Sequence, residues 1–390
     1  MNSVTEVRVP PLEDRLARVF AQYPLEVVSA QGVWLTNARG ERVLDLYGGH
    51  AVAGLGYGHP GWTRAITEQA RACQFQTNAV AMQVRSRAAA RLVRFADLPL
   101  ERVFFVNSGA EANENALKMA FRMRRGRTHV AAVEGSFHGR TAAAGAVTWG
   151  AGERWYGFPR APFEVSFIPR RDAAAAATLV TERTAAVIVE PVQGLAGAVD
   201  LGTEFLAALR ARCDATGALL IFDEVQCGMG RTGHPFAANL YGVMPDMITT
   251  AKALGNGFPC AALLMSPAVA RAVELDFLGT TFGGGPLACA AIEAVIEAIE
   301  TEGLLERVRR VSAYLRECCI VGPVRSHQGA GFLTGLRLTR PARQVQAELL
   351  EQGILMGTSA DPHVIRLLAP YILEEEHVEL LRDALAALPA

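Results

Sequence analysis

The chain has 390 residues and a formal net charge of −1, with 51% hydrophobic and 20% charged residues. This composition allows a large domain with a smaller one beside it and excludes a disordered chain. The near-neutral charge, without a basic block, argues against nucleic acid as a partner. No apolar stretch reaches membrane-spanning length without charges or turn formers, so no membrane partner is expected.

The cysteines and the N-terminus predict a cytoplasmic protein. The seven cysteines are scattered, with no Cys-x-x-Cys pair, which suits reduced thiols. The first eight residues lack the apolar core of a secretory signal.

The N-terminal part of the chain predicts a helix followed by a small sheet. Apolar residues recur at helical spacing over residues 12–23. Residues 27–46 alternate in polarity around a turn at 37–40, which predicts a small sheet. The glycine-rich residues 45–60 indicate backbone that passes close to another group, although a turn-rich connection has the same pattern.

Two further strands end in residues that suit ligand binding. A strand over residues 102–107 breaks at Ser108-Gly109, which opens a helix to about residue 125. Free N–H groups at such a helix start can bind a phosphate, although helix caps of this kind are common. The next strand, residues 128–133, leads to Phe137 and Arg140. The phenyl ring can stack on a flat ring and the arginine can bind a carboxylate, although a core phenylalanine and a surface arginine are the simpler interpretation of that segment alone.

The middle of the chain carries an acid and a lysine at two successive strand ends. Residues 218–222 form an apolar run that ends at Asp223, and residues 247–250 run into Lys252. In a parallel sheet both ends lie at the same edge. Pyridoxal phosphate (PLP) needs a lysine amine to bind it covalently and a carboxylate to keep its ring nitrogen protonated. Either residue alone is ordinary, but the pair predicts a PLP site.

Three motifs in this region resemble the class III aminotransferases, and most closely the acetylornithine aminotransferases. They are Asp-Glu-Val-Gln at 223–226, Gly-Met-Gly-Arg-Thr-Gly at 228–233 and Lys-Ala-Leu-Gly at 252–255. The resemblance runs from about residue 25 to the C-terminus. It implies an α/β PLP-dependent transferase of fold type I. Residues 1–45 would pack with the small domain, 46–285 would form a large domain with a mostly parallel seven-stranded sheet, and 286–390 would form a small α+β domain.

The sequence patterns in the second half of the chain predict further elements, and the resemblance implies that the first of them is antiparallel. Residues 259–266 would form the one antiparallel strand of the large sheet. Residues 286–319 would form two helices that meet near 301–303. The small domain would add strands over 331–338 and 364–368 and helices over 344–352 and 374–388.

The resemblance assigns the cofactor site residue by residue. Lys252 would carry the cofactor and then move a proton as general base and acid, while Asp223 would stabilise the ring N–H. Thr281 would reach the phosphate of the neighbouring subunit, so the resemblance implies a homodimer with shared active sites. The remaining cofactor contacts are assigned to Ser108, Gly109, Ala110, Phe137, Glu190, Val225 and Gln226.

The resemblance also assigns a substrate class. The expected reaction transfers the terminal amine of N2-acetyl-L-ornithine to 2-oxoglutarate, giving N-acetylglutamate 5-semialdehyde and L-glutamate, in arginine or lysine biosynthesis. The small-molecule partners are thus an amino donor and a 2-oxo acid. Substrate contacts are assigned to Arg140, Thr280, Arg366 and His50.

Two positions depart from the family pattern. Leu195 stands where relatives carry a glutamate that pairs with the arginine at position 366, and Gly285 replaces an asparagine. Because leucine cannot form that ion pair, we expect Arg366 to stay available in both half-reactions. The sequence gives no basis for judging the effect of Gly285.

Other activities remain open on the same residues. Succinylornithine, a carrier-protein-linked aminoadipate semialdehyde, ornithine and GABA are alternative amino donors. An aminomutase, a racemase or a decarboxylase would use the same lysine and acid. A non-catalytic regulator of this fold is expected to have lost Lys252 or Asp223, and both are present.

Overall fold

The computed structural model describes Ala17 and residues 19–390. The helix predicted over residues 12–23 lies mostly outside this part of the chain. Where the two overlap, residues 19–23 form no helix, and Val19 and Phe20 are 70% and 80% exposed. A short segment without an apolar surface to pack against does not hold a helix by itself, so the prediction is wrong there.

The described residues form one large sheet, three smaller sheets and the helices around them. The strands are β1 (Val27–Gln31), β2 (Trp34–Asn37), β3 (Arg42–Asp45), β4 (Arg102–Val106), β5 (His129–Val133), β6 (Glu164–Ile168), β7 (Thr184–Val189), β8 (Val192–Gln193), β9 (Val199–Asp200), β10 (Leu219–Asp223), β11 (Met247–Thr250), β12 (Ala261–Met265), β13 (Val324–Ala330), β14 (Leu333–Leu338), β15 (Ile354–Leu355), β16 (Gly357–Thr358) and β17 (Val364–Leu367). The helices are α1 (Gly48–Ala51), α2 (Pro60–Ala72), α3 (Gln83–Ala96), α4 (Gly109–Met123), α5 (Ala142–Ala146), α6 (Ala151–Arg154), α7 (Ala173–Leu179), α8 (Thr203–Thr216), α9 (Ala237–Tyr241), α10 (Pro267–Arg271), α11 (Pro286–Thr301), α12 (Leu304–Cys318), α13 (Ala342–Glu351) and α14 (Glu375–Ala386).

A seven-stranded sheet forms the centre of the fold, in the order β4-β12-β11-β10-β7-β5-β6. Strand β12 is antiparallel to both of its neighbours, whereas β11, β10, β7, β5 and β6 pair in parallel. The predicted mostly parallel sheet, with one antiparallel member, is therefore confirmed. Every residue of β7, β10, β11 and β12 is buried. These strands are mostly apolar because helices cover both faces of the sheet.

The sheet brings the carboxyl ends of six strands to one edge. Strand β4 runs in the direction of β11, because both are antiparallel to β12. The carboxyl ends of β4, β5, β6, β7, β10 and β11 therefore lie at the same edge, where ligands bind in open α/β sheets.

One smaller sheet connects the beginning of the described chain to its last part, and another lies wholly within that last part. Strand β15 joins the N-terminal strands in a sheet of order β1-β2-β3-β15, and pairs in parallel with β3. A second sheet has the order β13-β14-β17-β16. The predicted domain boundaries at residues 45/46 and 285/286 stay a prediction.

Within the part of the chain described, no helix has both the length and the apolar character needed to cross a bilayer.

Candidate active site

The edge of the central sheet opens into a cavity of about 610 Å³. Five of the strands that end there, β4, β5, β7, β10 and β11, lead into residues of its wall. Most of the residues predicted for the site line this cavity: His50, Ser108, Gly109, Ala110, Phe137, Arg140, Glu190, Asp223, Val225, Gln226 and Lys252. Leu195 lines it as well, whereas Arg366, Thr280 and Thr281 do not.

Asp223 ends β10 at the floor of the cavity and is surrounded by N–H donors. Asn113 Nδ2 donates to its Oδ2 at 2.7 Å, and the Val225 N–H donates to its Oδ1 at 3.0 Å. His138 Nδ1 lies 2.7 Å from the same Oδ2. A carboxylate only accepts hydrogen bonds, so this ring nitrogen carries the hydrogen. The carboxylate is thereby fixed in one orientation.

The residues behind Asp223 form a buried chain of hydrogen bonds. Asn113 also donates to the His138 carbonyl at 2.7 Å and accepts from the Thr249 hydroxyl at 2.6 Å. Every polar atom of the Asn113 side chain is thus bonded, which makes it a rigid support. Sequence reasoning missed both Asn113 and His138. Their signals were weak: Asn113 lies one helical turn beyond Gly109, and His138 directly follows Phe137.

Lys252 begins a 3₁₀ turn directly after β11. Its backbone has φ of 47°, in the left-handed region that non-glycine residues rarely adopt. Such strained backbone is concentrated at functional sites, where the surrounding structure enforces it. Burial lowers the pKa of the amine, and the charges of Asp223 and Glu190 oppose that shift. The neutral amine is therefore favoured more than in an exposed lysine.

Glu190 follows β7 and links two walls of the cavity. Its Oε1 accepts the Phe137 N–H at 2.8 Å, and its Oε2 accepts the Gly194 N–H at 3.2 Å. Burial first, and repulsion from Asp223 second, raise the pKa of Glu190 to about 7. Its carboxyl positions the backbone of Phe137.

The start of α4 forms one end of the cavity. The Ser108 hydroxyl caps the helix by accepting the Glu111 N–H at 3.2 Å. A Cβ on Gly109 would lie 2.8 Å from both methyl carbons of Val225. Only glycine therefore allows the helix start to approach Val225 this closely, which leaves backbone N–H groups available for an anion.

Gln226 supplies a polar group without a partner. Its Oε1 is buried and accepts no hydrogen bond within the described residues, and the residue lines the cavity. A buried polar atom of this kind calls for a bound group that satisfies it.

Arg140 lies on an aromatic surface at the cavity wall. Its guanidinium carbon is 4.6 Å from the centre of the Trp155 ring, and that ring is 6.3 Å from the ring of Phe137. Arg140 is exposed, so its planar donor face is open to a ligand. The sequence offered no reason to single out Trp155, which follows α6.

Arg366 is 1% exposed and lies on β17 beside the cavity rather than in its lining. Its donors go to neutral acceptors: Nε to the Thr358 carbonyl at 2.8 Å and Nη2 to the Tyr47 hydroxyl at 3.2 Å. Burial lowers the pKa of the guanidinium. Within the described residues it forms no ion pair, so its charge is held by dipoles alone.

His50 lies next to this arginine in the glycine-rich segment. Its Nδ1 is 2.6 Å from the Tyr47 hydroxyl. Burial, with the charges of Arg366 and Lys252, lowers the pKa of His50 to about 3. The imidazole is therefore neutral at physiological pH and acts as a hydrogen-bonding group, not as a cation.

The family model for class-III aminotransferases matches residues 17–388. The chain belongs to this family.

Individual aminotransferases resemble the chain over nearly its full length. An acetylornithine aminotransferase of Streptomyces coelicolor is 42% identical over 366 residues, which cover 93% of this chain and 90% of the relative. One of Mesorhizobium japonicum is 39% identical over 382 residues, covering 93% of each. Among solved structures, the acetylornithine aminotransferase of Elizabethkingia anophelis aligns with a TM-score of 0.84 at 26% identity, covering 95% of this chain and 96% of that one.

The structural comparison also supports the fold and the cofactor. The ornithine aminotransferase of Toxoplasma gondii aligns with a TM-score of 0.88 at 25% identity, covering 95% of this chain and 91% of that one. A second structure of that enzyme is described with partial occupancy of PLP at its active site. This class-III aminotransferase is accordingly an α/β enzyme of fold type I that uses PLP. The buried acid, the lysine and the unpartnered Gln226 fit that cofactor.

Thr280 and Thr281 lie in the loop before α11, outside the cavity of their own chain. The Thr280 hydroxyl accepts from Asn107 Nδ2 at 3.4 Å and from the Gly283 N–H at 3.1 Å. Thr281 is exposed. In this aminotransferase the predicted phosphate contact of Thr281 stays a prediction, because it would be made to a second subunit.

The two departures from the family pattern differ in their surroundings. Leu195 is 36% exposed, and it follows Gly194, whose carbonyl accepts from Arg366 Nη1 at 3.2 Å. The substituted position is thus the next residue along the chain from a backbone carbonyl that binds Arg366. Gly285 caps the start of α11, and nothing in the structure explains its replacement.

Proposed function

We propose that this enzyme transfers the terminal amine of N2-acetyl-L-ornithine to 2-oxoglutarate, in arginine biosynthesis. The observation that carries the proposal is the similarity to curated relatives. Acetylornithine aminotransferases at 35% to 42% identity cover 93% or more of this chain. The products are N-acetylglutamate 5-semialdehyde and L-glutamate.

Residues of the cavity would hold the cofactor. Asp223 would hold the ring N–H, Phe137 would lie over the ring, and Gln226 would hydrogen-bond the ring oxygen. The backbone of residues 108–110 would bind the phosphate. PLP, when bound, supplies a ring that withdraws electrons from the substrate carbon.

Lys252 would bind the cofactor covalently and, once released, move the proton. A general base works best when its pKa lies near the working pH, and burial lowers the pKa of this lysine. The buried support of Asp223 by Asn113 and His138 keeps the acid opposite the lysine in place.

The substrate carboxylate would be bound by the two arginines. Arg140 has an exposed guanidinium at the cavity wall, and Arg366 lacks a carboxylate partner within the described residues. Thr280 and the neutral His50 would orient the rest of the substrate.

A panel of amino donors tests the substrate. The purified holoenzyme is assayed with 2-oxoglutarate and, in turn, acetylornithine, succinylornithine, ornithine and GABA, with Lys252→Ala as the inactive control. We expect the highest kcat/KM for acetylornithine. A higher value for any other donor overturns the substrate assignment but keeps the reaction class. Absence of glutamate formation with every donor overturns the reaction itself.

We also propose a homodimer in which Thr281 serves the partner's active site. Its exposure and its position outside the cavity of its own chain support this. The nearby rings of Phe75 and Phe282, 5.4 Å apart, are 41% and 65% exposed and would be covered by a second subunit.

Mixed dimers test the sharing of sites. Lys252→Ala chains are co-purified with Thr281→Ala chains, and light scattering reports the size. If Thr281 acts across the interface, each mixed dimer contains one intact site and has about half of the parent activity. If Thr281 acts within its own chain, the mixed dimer has no intact site. The site that still has Lys252 then shows the reduced activity of the Thr281→Ala enzyme.

Finally, we propose that the enzyme works in the cytoplasm. All seven cysteines are free, including the neighbouring Cys318 and Cys319, which suits a reducing compartment. Cell fractionation with an antibody to the chain tests this, and recovery in an oxidising compartment contradicts it.

A further inference from the structure

A second cavity, of about 430 Å³, lies apart from the active site, and three of the residues that line it are arginines. Arg170 and Arg171 enter it from the segment after β6, Arg316 from the end of α12, and His327 from β13. The carboxylate in its wall is that of Asp200 on β9. We call this cavity the cationic pocket.

The arginines of the cationic pocket are held by neutral groups. Arg170 Nε donates to the Gln193 amide oxygen at 2.8 Å, Arg171 Nε to the Asp200 carbonyl at 3.1 Å, and Arg316 Nη2 to the Gly329 carbonyl at 2.7 Å. Within the described residues none of the three forms an ion pair with a carboxylate. The guanidinium groups therefore line the same space with donors left over, and those of Arg170 and Arg171 are exposed.

Among the described residues that line the pocket, Asp200 supplies the one carboxylate, and one of its oxygens is already engaged. Oδ1 of Asp200 accepts the Tyr241 hydroxyl at 2.8 Å and the Gly202 N–H at 2.8 Å. Three arginines against one acid leave an excess of positive charge in a concave site. Like charges that line one cavity repel each other, and a bound anion would offset that repulsion.

The backbone at Arg171 supports a built arrangement. Its φ is 61°, in the left-handed region. A non-glycine residue adopts this region at a cost, and the surrounding structure must enforce it. Here it directs two successive arginines into the same pocket.

We propose that the cationic pocket binds a small oxyanion that carries two or more negative charges, of the phosphate or polycarboxylate kind. Planar guanidinium groups match the geometry of phosphate and carboxylate oxygens, and bidentate contacts of this kind are strong. The pocket joins the segment after β6 to β13 and α12, so a bound anion fastens these elements together.

The pocket also touches the walls of the active site. Arg170 Nε donates to the Glu134 carbonyl at 3.0 Å, three residues before Phe137, as well as to Gln193, which precedes Gly194. An anion that orders Arg170 therefore acts on two segments that line the active site. We expect occupancy to change the KM of the amino substrate.

Titration calorimetry of the PLP-loaded enzyme tests the proposal. The probes are pyrophosphate and citrate, with acetate as the monovalent control, all at constant ionic strength. Arg171→Gln and Arg316→Gln each remove one guanidinium group from the pocket. Arg343→Gln, exposed on α13, removes the same charge outside the pocket. We expect saturable binding of the multivalent probes, weakened about tenfold or more in either pocket variant and unchanged in Arg343→Gln.

Several outcomes overturn the proposal. They are the absence of saturable binding to the parent enzyme, equal affinity in the pocket variants, or an equal loss in Arg343→Gln. Melting temperatures in chloride show whether each variant is folded. If Arg171→Gln is not, Arg171→Lys takes its place, because it keeps the charge but loses the guanidinium group, and parent-like affinity in that variant counts against the proposal. Tighter binding of pyrophosphate than of citrate indicates a ligand of the phosphate kind, and the reverse indicates a polycarboxylate.

Discussion

Asp223 and Glu224 are two adjacent buried acids at the end of β10. Three N–H groups bind the Asp223 carboxylate, whereas burial raises the pKa of Glu224 to about 8. Asp223→Asn should retain the cofactor but slow the half-reaction with the amino donor by several orders of magnitude, because a neutral amide does not hold the ring proton. Stopped-flow absorbance measures that half-reaction. Glu224→Gln is the control, since it removes an acid that is mostly neutral at pH 7. Near-normal rates in Asp223→Asn would mean that the acid has been misassigned.

Glu190 gives the protein a pH dependence of defined sign. Its pKa is raised from 4.5 to about 7. Between these values the folded chain keeps a proton that the unfolded chain has released, so stability falls as pH rises through the window. Glu190→Gln cannot ionise. Its melting temperature, relative to that of the parent, should rise from about pH 5 to about pH 8 in the cofactor-free protein. Parallel melting profiles of the two proteins would contradict the assignment.

For single residues, the sequence predicts the functional side chains at strand ends but not the buried residues that support them. Asp223 and Lys252 were identifiable because an apolar run ends at each. Asn113 and His138 lie on a helix and in a loop, and their role depends on contacts between residues 110 and 85 positions apart in sequence. No local pattern encodes such a contact.

The hairpin of β8 and β9 carries Leu195 to the cavity. A glutamate there would lie one residue from the carbonyl that binds Arg366, and a partly exposed ion pair is worth about 1 kcal/mol or less. Leu195→Glu should therefore raise the KM for glutamate up to about fivefold and shift the preference among amino donors. Leu195→Gln is the uncharged control. The two half-reactions are measured separately. Unchanged constants in both would show that position 195 does not face Arg366.

The segment after α6 supports Arg140 through Trp155. An exposed cation–π contact contributes about 0.5 to 1 kcal/mol. Trp155→Ala should raise the KM for the amino substrate about two- to fivefold with little change in kcat, and Trp155→Phe should recover most of the loss. Steady-state kinetics measures both constants. Trp149→Ala, which removes another partly exposed tryptophan packed on Phe167, is the control. An equal effect in that variant would contradict a specific role.

Element prediction succeeded where the burial pattern is simple. Strands β10 and β11 are buried throughout and were predicted close to their observed bounds, as were α11 and α12. Strand β6 was missed because three of its five residues are partly exposed and one is exposed. Strand β13 was missed because only Val324 in it is buried. Both are edge strands, and the sequence alone does not mark which face they cover.

Arg231 connects three distant parts of the molecule. It is fully buried, donates to the carbonyls of Ala369 and Ala51, and lies 4.6 Å from the centre of the Tyr371 ring. Arg231→Ala should destabilise the fold by about 3 kcal/mol, because it leaves buried acceptors unpaired and opens a cavity. Thermal unfolding measures this. Arg343→Ala, at an exposed position, is the control, and an equal loss in both would contradict the role of Arg231.

The pairing of β3 with β15 has a consequence for the chain as it is synthesised. Leu44 is paired with Ile354, so an edge of the N-terminal sheet has no partner until the ribosome has added about 310 further residues. At bacterial or eukaryotic elongation rates that interval lasts roughly 15 to 60 s. During it the open edge of β3 can recruit strands of other chains. The short length of β3, four residues, limits that hazard until the last tenth of the chain has been synthesised.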